Sequence, residues 1–458
     1  MNIQATKVLS DFISDLSYYD LPSYTIEKAK ESMLDYLGAL IAAYKNSSLL
    51  SENIIELIKN NGGTEEATII GQSTKVPLIN AALANGVLSH VVELDDGHRI
   101  ARGHPGVVVL SAVLPIAEYL RSNGKELITA IVAGYDIFVR IASAVNPSHL
   151  NRGYHTTGTC GTLAAAAAAA KIFNLNKEQT INALGFAGIQ AAGLLEVTVS
   201  GQTAKALHSG KAAYAGVLSA ILAKAGGEGP KAIIEGVKGF AKTMSDECNY
   251  DVMLKDMNKT YCIDDCYIKL YPSCRHTHSP VDAVFDMVNE YEFDYMDISE
   301  IIIRTFPTAI SFAGEIFKPK SAAEAKFSIP YCVCTALVKG KLGLRQLEMD
   351  CLNDPIILSL IDKVKIESDE SLESSNPKTK GAELIVTLKD GRKMLKRVNL
   401  PKGEIENPVN REELIRKFTS CTEHHVNDKN RKQIIDSVFN LDNMRDIKEM
   451  IALLTKSN

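Results

Sequence analysis

Residues 161–173 read Gly-Thr-Leu, then seven consecutive alanines, then Lys-Ile-Phe. Alanine is the strongest helix former, so this stretch favours a helix. Because a helix of alanines is thin, it packs no bulky groups of its own and lets neighbouring elements approach closely. We therefore predict that residues 161–173 form the central helix of a helical domain.

Helical patterning continues on both sides of this stretch, from residue 5 to about residue 260. Apolar residues recur every three or four positions, and glycine, proline and asparagine interrupt them, as expected of successive helices. The clearest predicted helices cover residues 26–43, 77–94, 107–122 and 125–145. A large all-helical domain is the expected result.

The pattern changes after residue 261, where strand-like segments are mixed with helical ones. Residues 298–306 predict a strand, and the runs 384–388 and 392–398 flank Asp390-Gly391, which is a hairpin signal. The tail from residue 411 reads as helix again. We predict a mainly α fold with a large all-helical domain (residues 1–265), a smaller α+β domain (266–400), and C-terminal helices (401–458) that complete the first.

Charge and composition exclude several classes of protein. The chain has 55 acidic and 50 basic residues, a net charge of -5 and no long basic run, so we expect no nucleic-acid partner. No apolar run approaches a charge-free membrane span, and the N-terminal residues lack a secretory pattern. Nine cysteines in such a chain fit a reducing compartment. We predict a cytoplasmic protein with no membrane partner.

The cysteine spacing raises the alternative of a zinc site. Cys262 and Cys266 are four positions apart, and Cys332 and Cys334 are two apart. Neither pair shows the repeated Cys-x-x-Cys spacing of structural zinc sites, and buried cysteine is a common core residue. We therefore predict no metal.

Residues 89–106 concentrate ionisable side chains at the end of a predicted helix. They include three carboxylates, three histidines and two arginines. One interpretation is that Asp95 and Asp96 end the helix and pair with Arg99 or Arg102. The density of histidine favours a functional site, because imidazole exchanges protons near neutral pH.

Three more polar stretches lie far along the chain. His155 immediately precedes the alanine helix, where a helix N-terminus attracts carboxylate and a histidine is placed for proton transfer. Lys205 and His208 are three residues apart and share a helix face, although a solvated lysine would give the same pattern. Residues 269–280 lie at the junction of the two predicted domains, where ligand clefts tend to form.

Together these stretches supply cations that bind carboxylates and imidazoles that move protons. The sequence has no phosphate loop, nucleotide fingerprint or haem motif, so we predict no cofactor and a small polycarboxylate substrate. Removing a proton next to a carboxylate needs a positioned base and positive charge to stabilise the enediolate. Loss of hydroxide, epimerisation or decarboxylation can follow from one such site.

The motifs resemble those of the MmgE/PrpD family. The resemblance rests on motifs that occur in family order from about residue 30 to residue 420: ELDDGH (93–98), GHPG (103–106), GYHTTGTCGTLAAAAAAAK (153–171), the Lys205 segment, KLYPSCRHTHSPVDA (269–283), AKFSIPYCVCTAL (325–337) and LPKGEIENP (400–408). It implies a large helical domain, an α+β lid domain, a homodimer and an active-site cleft between the domains.

The resemblance also implies which residues form the site. The catalytic positions of the family fall on His104, His155, Lys205 and Lys269. The expected substrate-binding residues are Glu93, Asp96, Arg99, Arg102, Cys274, Arg275 and His278. As an alternative, each of these arginines pairs with Asp95, Asp96 or Glu93 and touches no substrate. Which histidine is the acid and which the base stays open.

Family members include 2-methylcitrate dehydratase, cis-aconitate decarboxylase and iminodisuccinate epimerase, so the resemblance implies a lyase or an epimerase. Glu93, Gly97 and Cys274 differ from the decarboxylase pattern, and Pro105-Gly106-Val107 differs from the dehydratase pattern. We expect dehydration of a citrate-like or 2-methylcitrate-like hydroxy acid. The alternatives are epimerisation of an iminodisuccinate-like dicarboxylate, decarboxylation of cis-aconitate, and an idle dimeric binding protein.

Overall fold

The computed structural model describes residues 4–45, 49–199, 204–375 and 378–455. The chain forms two compact units, the first from Met1–Ile268 with Asn410–Asn458 and the second from Lys269–Val409. Helices dominate the described residues, and the larger sheet belongs to the second unit. The predicted mainly α fold with a smaller α+β part is confirmed.

The first unit is built from helices and one short strand pair, β1 (Ala67–Thr68) with β2 (Lys75–Val76). Its helices before residue 269 are α1 (Ala5–Asp15), α2 (Ser23–Ala42), α3 (Leu49–Asn61), α4 (Leu78–Val91), α5 (Pro105–Leu120), α6 (Gly124–Val145), α7 (Ser148–Asn151), α8 (Thr156–Ile172), α9 (Lys177–Gly188), α10 (Glu196–Val199), α11 (Lys205–Lys224), α12 (Phe240–Met244) and α13 (Tyr250–Leu254). The four clearest predicted helices correspond to α2, α4, α5 and α6.

The alanine helix α8 lies at the centre of the first unit. All seven alanines, Ala164–Ala170, are fully buried. A Cβ added to Gly134 of α6 would lie 2.8 Å from an alanine Cβ of α8, and one added to Gly216 of α11 would lie 2.4 Å from another. Neighbouring helices thus approach α8 as closely as small residues on both sides allow, and the predicted central helix is confirmed.

Helix α6 shows how charge is accommodated in this core. By length and hydropathy it could cross a membrane, but 94% of its apolar window is buried inside the protein. Within it Arg140 pairs with Asp136 at 2.8 Å and donates to the Lys255 carbonyl at 2.6 Å. A buried ion pair that also binds a neighbouring loop marks α6 as a core helix of the first unit.

The second unit places helices against a sheet with strand order β4-β3-β7-β8. Its elements are α14 (His278–Glu290), β3 (Ile298–Thr305), α15 (Pro307–Ala313), α16 (Ala322–Ala325), α17 (Ile329–Lys339), α18 (Met349–Leu352), α19 (Pro355–Ile361), β4 (Val364–Ser368), β5 (Glu373–Ser375), β6 (Lys378–Lys380), β7 (Ala382–Leu388) and β8 (Lys393–Val398). Strands β3 and β4 are parallel, whereas β3 with β7 and β7 with β8 are antiparallel.

The predicted hairpin is formed by β7 and β8. Gly391 between them has φ +91°, a left-handed conformation that glycine adopts without strain. Burial alternates along β7, so one face of this strand packs on the core. Its buried residues Leu384 and Val386 join Ile301 and Ile303 of β3 in the core of the unit.

The second unit begins and ends a few residues later than the predicted limits of 266 and 400. Side chains of the unit hold residues 401–409 in place. The Lys402 N–H donates to Asp282 at 2.6 Å, and Arg275 donates to the Lys402 carbonyl at 3.0 Å. These contacts are long-range in sequence, which is why residue patterns alone did not locate the boundary.

The C-terminal helices α20 (Arg411–Thr422), α21 (Asp428–Phe439) and α22 (Lys448–Leu453) belong to the first unit. Lys417 of α20 forms a buried ion pair with Asp35 of α2 and donates to the Leu94 carbonyl at 2.7 Å. Since Leu94 lies within the ELDDGH motif, the C-terminal segment helps to hold the most polar loop of the chain.

Candidate active site

Two glycines bring the polar ends of α4 and α11 together. A Cβ on Gly86 of α4 would lie 2.6 Å from the Cα of Gly210 of α11, so the two backbones are in direct contact. His90 follows Gly86 by about one turn, and His208 precedes Gly210 by less than one turn. The close approach therefore gathers the ionisable residues that flank both glycines.

Glu93 and Lys205 form an ion pair across this contact. Glu93 follows the end of α4 with φ 57°, and Lys205 is the first residue of α11. A non-glycine residue in the left-handed region carries a backbone cost that the surrounding structure must offset. Both side chains are largely buried, so the predicted lysine of the site has a carboxylate partner within its own unit.

Asp95 lies between two histidines. Its Oδ2 is 3.0 Å from Nδ1 of His90 and 3.0 Å from Nδ1 of His104. Nδ1 of His104 is also 2.6 Å from the carbonyl oxygen of Asp96. A carbonyl only accepts hydrogen bonds, so Nδ1 of His104 carries a proton and Nε2 is the proton-accepting nitrogen of the neutral ring. Asp95 is therefore placed to stabilise a positive charge on His104.

Asp96 holds the loop that carries His104. Its carboxylate accepts from the Tyr135 hydroxyl at 2.6 Å and from the Gly106 N–H at 3.0 Å. Burial raises the pKa of Asp96 to about 7, and the Tyr135 hydrogen bond partly opposes that shift. Because its two oxygens bond to Tyr135 and Gly106, Asp96 ties the loop to α5 and α6, and its substrate-binding role stays a prediction.

His155 and His208 form a second pair of imidazoles. Their Nδ1 atoms are 2.8 Å apart. Burial, followed by the nearby charges of Lys205 and the other histidines, lowers the pKa of His155 well below its usual value. Burial also lowers the pKa of His208 to about 4. Both rings are therefore neutral at physiological pH.

The first turn of α8 links the two histidine groups. The backbone N–H of His104 donates to the Thr157 hydroxyl at 3.2 Å, and His155 directly precedes the helix. The charge of His104 also contributes to the lowered pKa of His155, so the two rings lie within electrostatic reach. His104, His155 and Lys205, three predicted catalytic residues, belong to one cluster in the first unit.

The two predicted arginines of the first unit differ in exposure. Arg99 is half-buried, whereas Arg102 is exposed and has φ 51°. Asp95 contacts His90 and His104, and Asp96 accepts from Tyr135 and Gly106, as described above. A substrate-binding role for Arg99 and Arg102 stays a prediction.

The remaining predicted residues lie in the second unit. Lys269 is buried, with 1% of its surface exposed, and Cys274 is half-buried. Arg275 pairs with Glu404 at 2.9 Å and donates to Nδ1 of His278 at 3.0 Å. Arginine only donates, so the proton of neutral His278 is on Nε2. Arg275 therefore has a carboxylate partner, but it is Glu404 and not Asp95, Asp96 or Glu93 as the pairing alternative expected, and its substrate-binding role stays a prediction.

Among the described residues, the best-placed metal ligands are His90, Asp95 and His104, whose ligand atoms lie within 4.8 Å of one another. The Nδ1 proton of His104, which is donated to the Asp96 carbonyl, leaves that nitrogen without a lone pair for coordination. Burial raises the pKa of Cys262 and Cys266 above the usual thiol value. A raised pKa favours the protonated thiol, the form expected of cysteines buried in a core.

Sequence reasoning did not assign four residues that shape the site: His90, Asp95, Tyr135 and His208. His90 and Asp95 are in the same polar stretch as His104, and His208 shares a helix face with Lys205. The sequence therefore indicated that these residues lie near the site, but it did not indicate their hydrogen-bond partners. Tyr135 lies within an apolar helix and gave no signal. Its role exists only because Asp96 packs against it.

Comparisons with known proteins agree with the motifs. The MmgE/PrpD N-terminal domain model matches residues 7–253, and the MmgE/PrpD C-terminal domain model matches residues 271–441. Cis-aconitate decarboxylase of Aspergillus terreus is 27% identical over 98% of this chain and 95% of its own. The human cis-aconitate decarboxylase is 28% identical over 98% and 94%.

A probable 2-methylcitrate dehydratase of Saccharomyces cerevisiae is 24% identical over 85% of this chain and 80% of its own. Decarboxylases and dehydratases of this kind are both lyases. The family models together span most of both units, so the chain belongs to the MmgE/PrpD family, and the relatives named here are lyases.

Proposed function

We propose that the protein dehydrates a citrate-like hydroxy polycarboxylate without a cofactor. In this proposal His104 removes the proton next to a carboxylate, and His155 protonates the departing hydroxide. The observation that supports it is that one cluster contains two histidines in different electrostatic environments. His104 is backed by the Asp95 carboxylate, whereas His155 is kept neutral by burial and nearby cations.

The environment of His104 suits a general base. Its Nδ1 proton is held by the Asp96 carbonyl, so Nε2 can accept a proton from substrate. The imidazolium that results lies 3.0 Å from a carboxylate oxygen of Asp95. A positioned base of this kind typically accelerates proton transfer by about 10²- to 10⁴-fold.

The environment of His155 suits a general acid that starts neutral. An imidazolium at this buried position would face Lys205 and other potential cations. A neutral ring can still donate an N–H proton to a leaving hydroxide if it regains one from a neighbour. Lys205, in the same cluster, supplies positive charge for the enediolate that forms when the substrate loses its proton.

The relatives support a substrate of this chemical class. The names of the matched proteins refer to cis-aconitate and 2-methylcitrate, which are both small tricarboxylates. Proton transfer next to a carboxylate is common to dehydration and to decarboxylation of such acids. The four family catalytic positions carry histidine or lysine in this chain, which argues against an idle binding protein.

Decarboxylation of cis-aconitate is the second candidate function. It is favoured by relatives named cis-aconitate decarboxylase, which match 98% of the chain at 26–28% identity. Elimination of water uses both a base and an acid, whereas loss of carbon dioxide needs one proton donor for the resulting carbanion. The two histidine groups therefore support dehydration, and decarboxylation is tested in the same experiment.

The test is to mix the purified protein separately with citrate, 2-methylcitrate, isocitrate and cis-aconitate, and to follow ultraviolet absorbance of unsaturated acids together with released carbon dioxide. A rise with a hydroxy acid, lost in His104→Ala and kept in the control His424→Ala, is the expected result. His424 is an exposed histidine that pairs with Glu423. Carbon dioxide released from cis-aconitate would select the decarboxylase, and full turnover by His104→Ala would refute the mechanism.

A further inference from the structure

The His155–His208 pair has a built geometry that the proposed function does not yet use. His155 precedes α8, and His208 lies in the first turn of α11. Gly158 makes room for the contact, because a Cβ there would lie 3.3 Å from the His208 Cβ and 2.6 Å from the Ala192 carbonyl. The two rings are 5.0 Å apart between centroids, with 43° between their planes.

A hydrogen bond between two Nδ1 atoms requires exactly one proton between them. One ring therefore carries its proton on Nδ1 and presents Nε2 as an acceptor, while the other accepts at Nδ1 and carries its proton on Nε2. Burial and surrounding cations keep both rings neutral. The pair thus has two complementary tautomeric states that differ by the position of the shared proton.

The two rings differ in access to solvent. His155 is buried, with 4% of its surface exposed, whereas His208 is half-buried. The pair therefore runs from the buried cluster towards the more accessible side of the unit. Positive charge at His155 is disfavoured, so a proton can pass through it only if another proton moves at the same time.

We propose that His208 is a positioning residue that relays protons to and from His155, an inference that rests on the proposed function. When His155 gives its Nε2 proton to the departing hydroxide, the Nδ1 proton of His208 moves to Nδ1 of His155. His208 Nε2 then takes a proton from water, and the hydroxide left in solvent is neutralised by the proton that His104 releases after turnover. One N–H bond breaks and one forms on each ring, so both stay neutral. The reverse step restores the pair after product leaves.

The relay is tested with His208→Asn and His208→Ala. Asparagine can place an amide group near the position of Nδ1 and so keep the hydrogen bond to His155, but it cannot relay a proton. The expected result is a loss of kcat of about 10²-fold or more in both variants with little change in KM. Added imidazole is expected to restore kcat in His208→Ala. Near wild-type kcat in His208→Asn would overturn the relay, because the hydrogen bond alone would then suffice.

A second measurement does not depend on substrate. Nitrogen-15 NMR of labelled histidine in the wild-type protein, with signals assigned by their loss in His208→Asn and in His155→Asn, reports which ring nitrogens carry protons. We expect neutral rings at His155 and His208 with coupling between their Nδ1 atoms. An imidazolium at either ring at neutral pH, or absence of the coupling, would refute the relay. If the protein turns over none of the four acids, the proposed function fails. The spectra still show whether His155 and His208 are neutral and share a proton between their Nδ1 atoms.

Discussion

Replacing Asp95 by asparagine tests the role assigned to the His104 environment. The change removes one negative charge and keeps the size of the side chain. Asp95 is 1% exposed, and its Oδ2 is 3.0 Å from Nδ1 of His104. Nδ1 of His104 still donates to the Asp96 carbonyl in the variant, so the tautomer of His104 is kept and the lost charge is the principal change.

The magnitude follows from that distance. Two unit charges 3.0 Å apart interact by about 5 kcal/mol at an effective dielectric constant of about 20, which sets an upper bound. A hydrogen bond to a charged group contributes about 1.5–3 kcal/mol net. Loss of that contribution in the transition state lowers kcat by about 10- to 150-fold.

The assay is kcat and KM for the substrate identified by the absorbance test, with far-ultraviolet circular dichroism to verify folding. Asp446→Asn is the matched control, because Asp446 is a carboxylate of the same unit that pairs with Arg121. We expect unchanged kcat in the control. A folded Asp95→Asn protein with kcat within about twofold of wild type would show that His104 needs no charged partner.

Stability, pH response and metal dependence provide three further tests. Lys417→Met should lower the free energy of unfolding by about 3–5 kcal/mol in urea titrations, because it removes the cation that balances buried Asp35. The double variant Lys417→Met with Asp35→Leu should recover most of that loss. An equal loss of stability in the single and the double variant would refute the pairing of Lys417 with Asp35. Asp96 has a pKa raised from 3.8 to about 7 in the folded state, so its effect on stability is absent below pH 3.8 and becomes increasingly unfavourable up to pH 7. Asp96→Asn should reduce the dependence of the free energy of unfolding on pH between pH 3.8 and pH 7. An unchanged slope of stability against pH would contradict the raised pKa of Asp96. Treatment with a chelator should leave turnover unchanged, whereas activity lost to the chelator and restored by Zn²⁺ would assign a metal to the histidine and carboxylate cluster.

Much of the fold was predictable because local signals agreed. The seven alanines, the three-to-four spacing of apolar residues and the Asp390-Gly391 turn act over a few residues, so the central helix, the main helices and the hairpin could be read directly. The end of the second unit lies beyond the predicted limit of 400, because Asp282 and Arg275 bind Lys402 from far away in sequence.

Several residues of the candidate site were predictable from the sequence, but their partners were not. The sequence by itself determined which residue types are available, and its motifs indicated the family and the residues His104, His155 and Lys205. Only the tertiary structure decided their partners: Asp95 for His104, His208 for His155 and Glu93 for Lys205. The physical reason is that proton affinity and tautomer depend on burial and on atoms about 3 Å away. Packing of α4 and α8 against α11 brings Glu93 to Lys205 and His155 to His208 from distant parts of the chain.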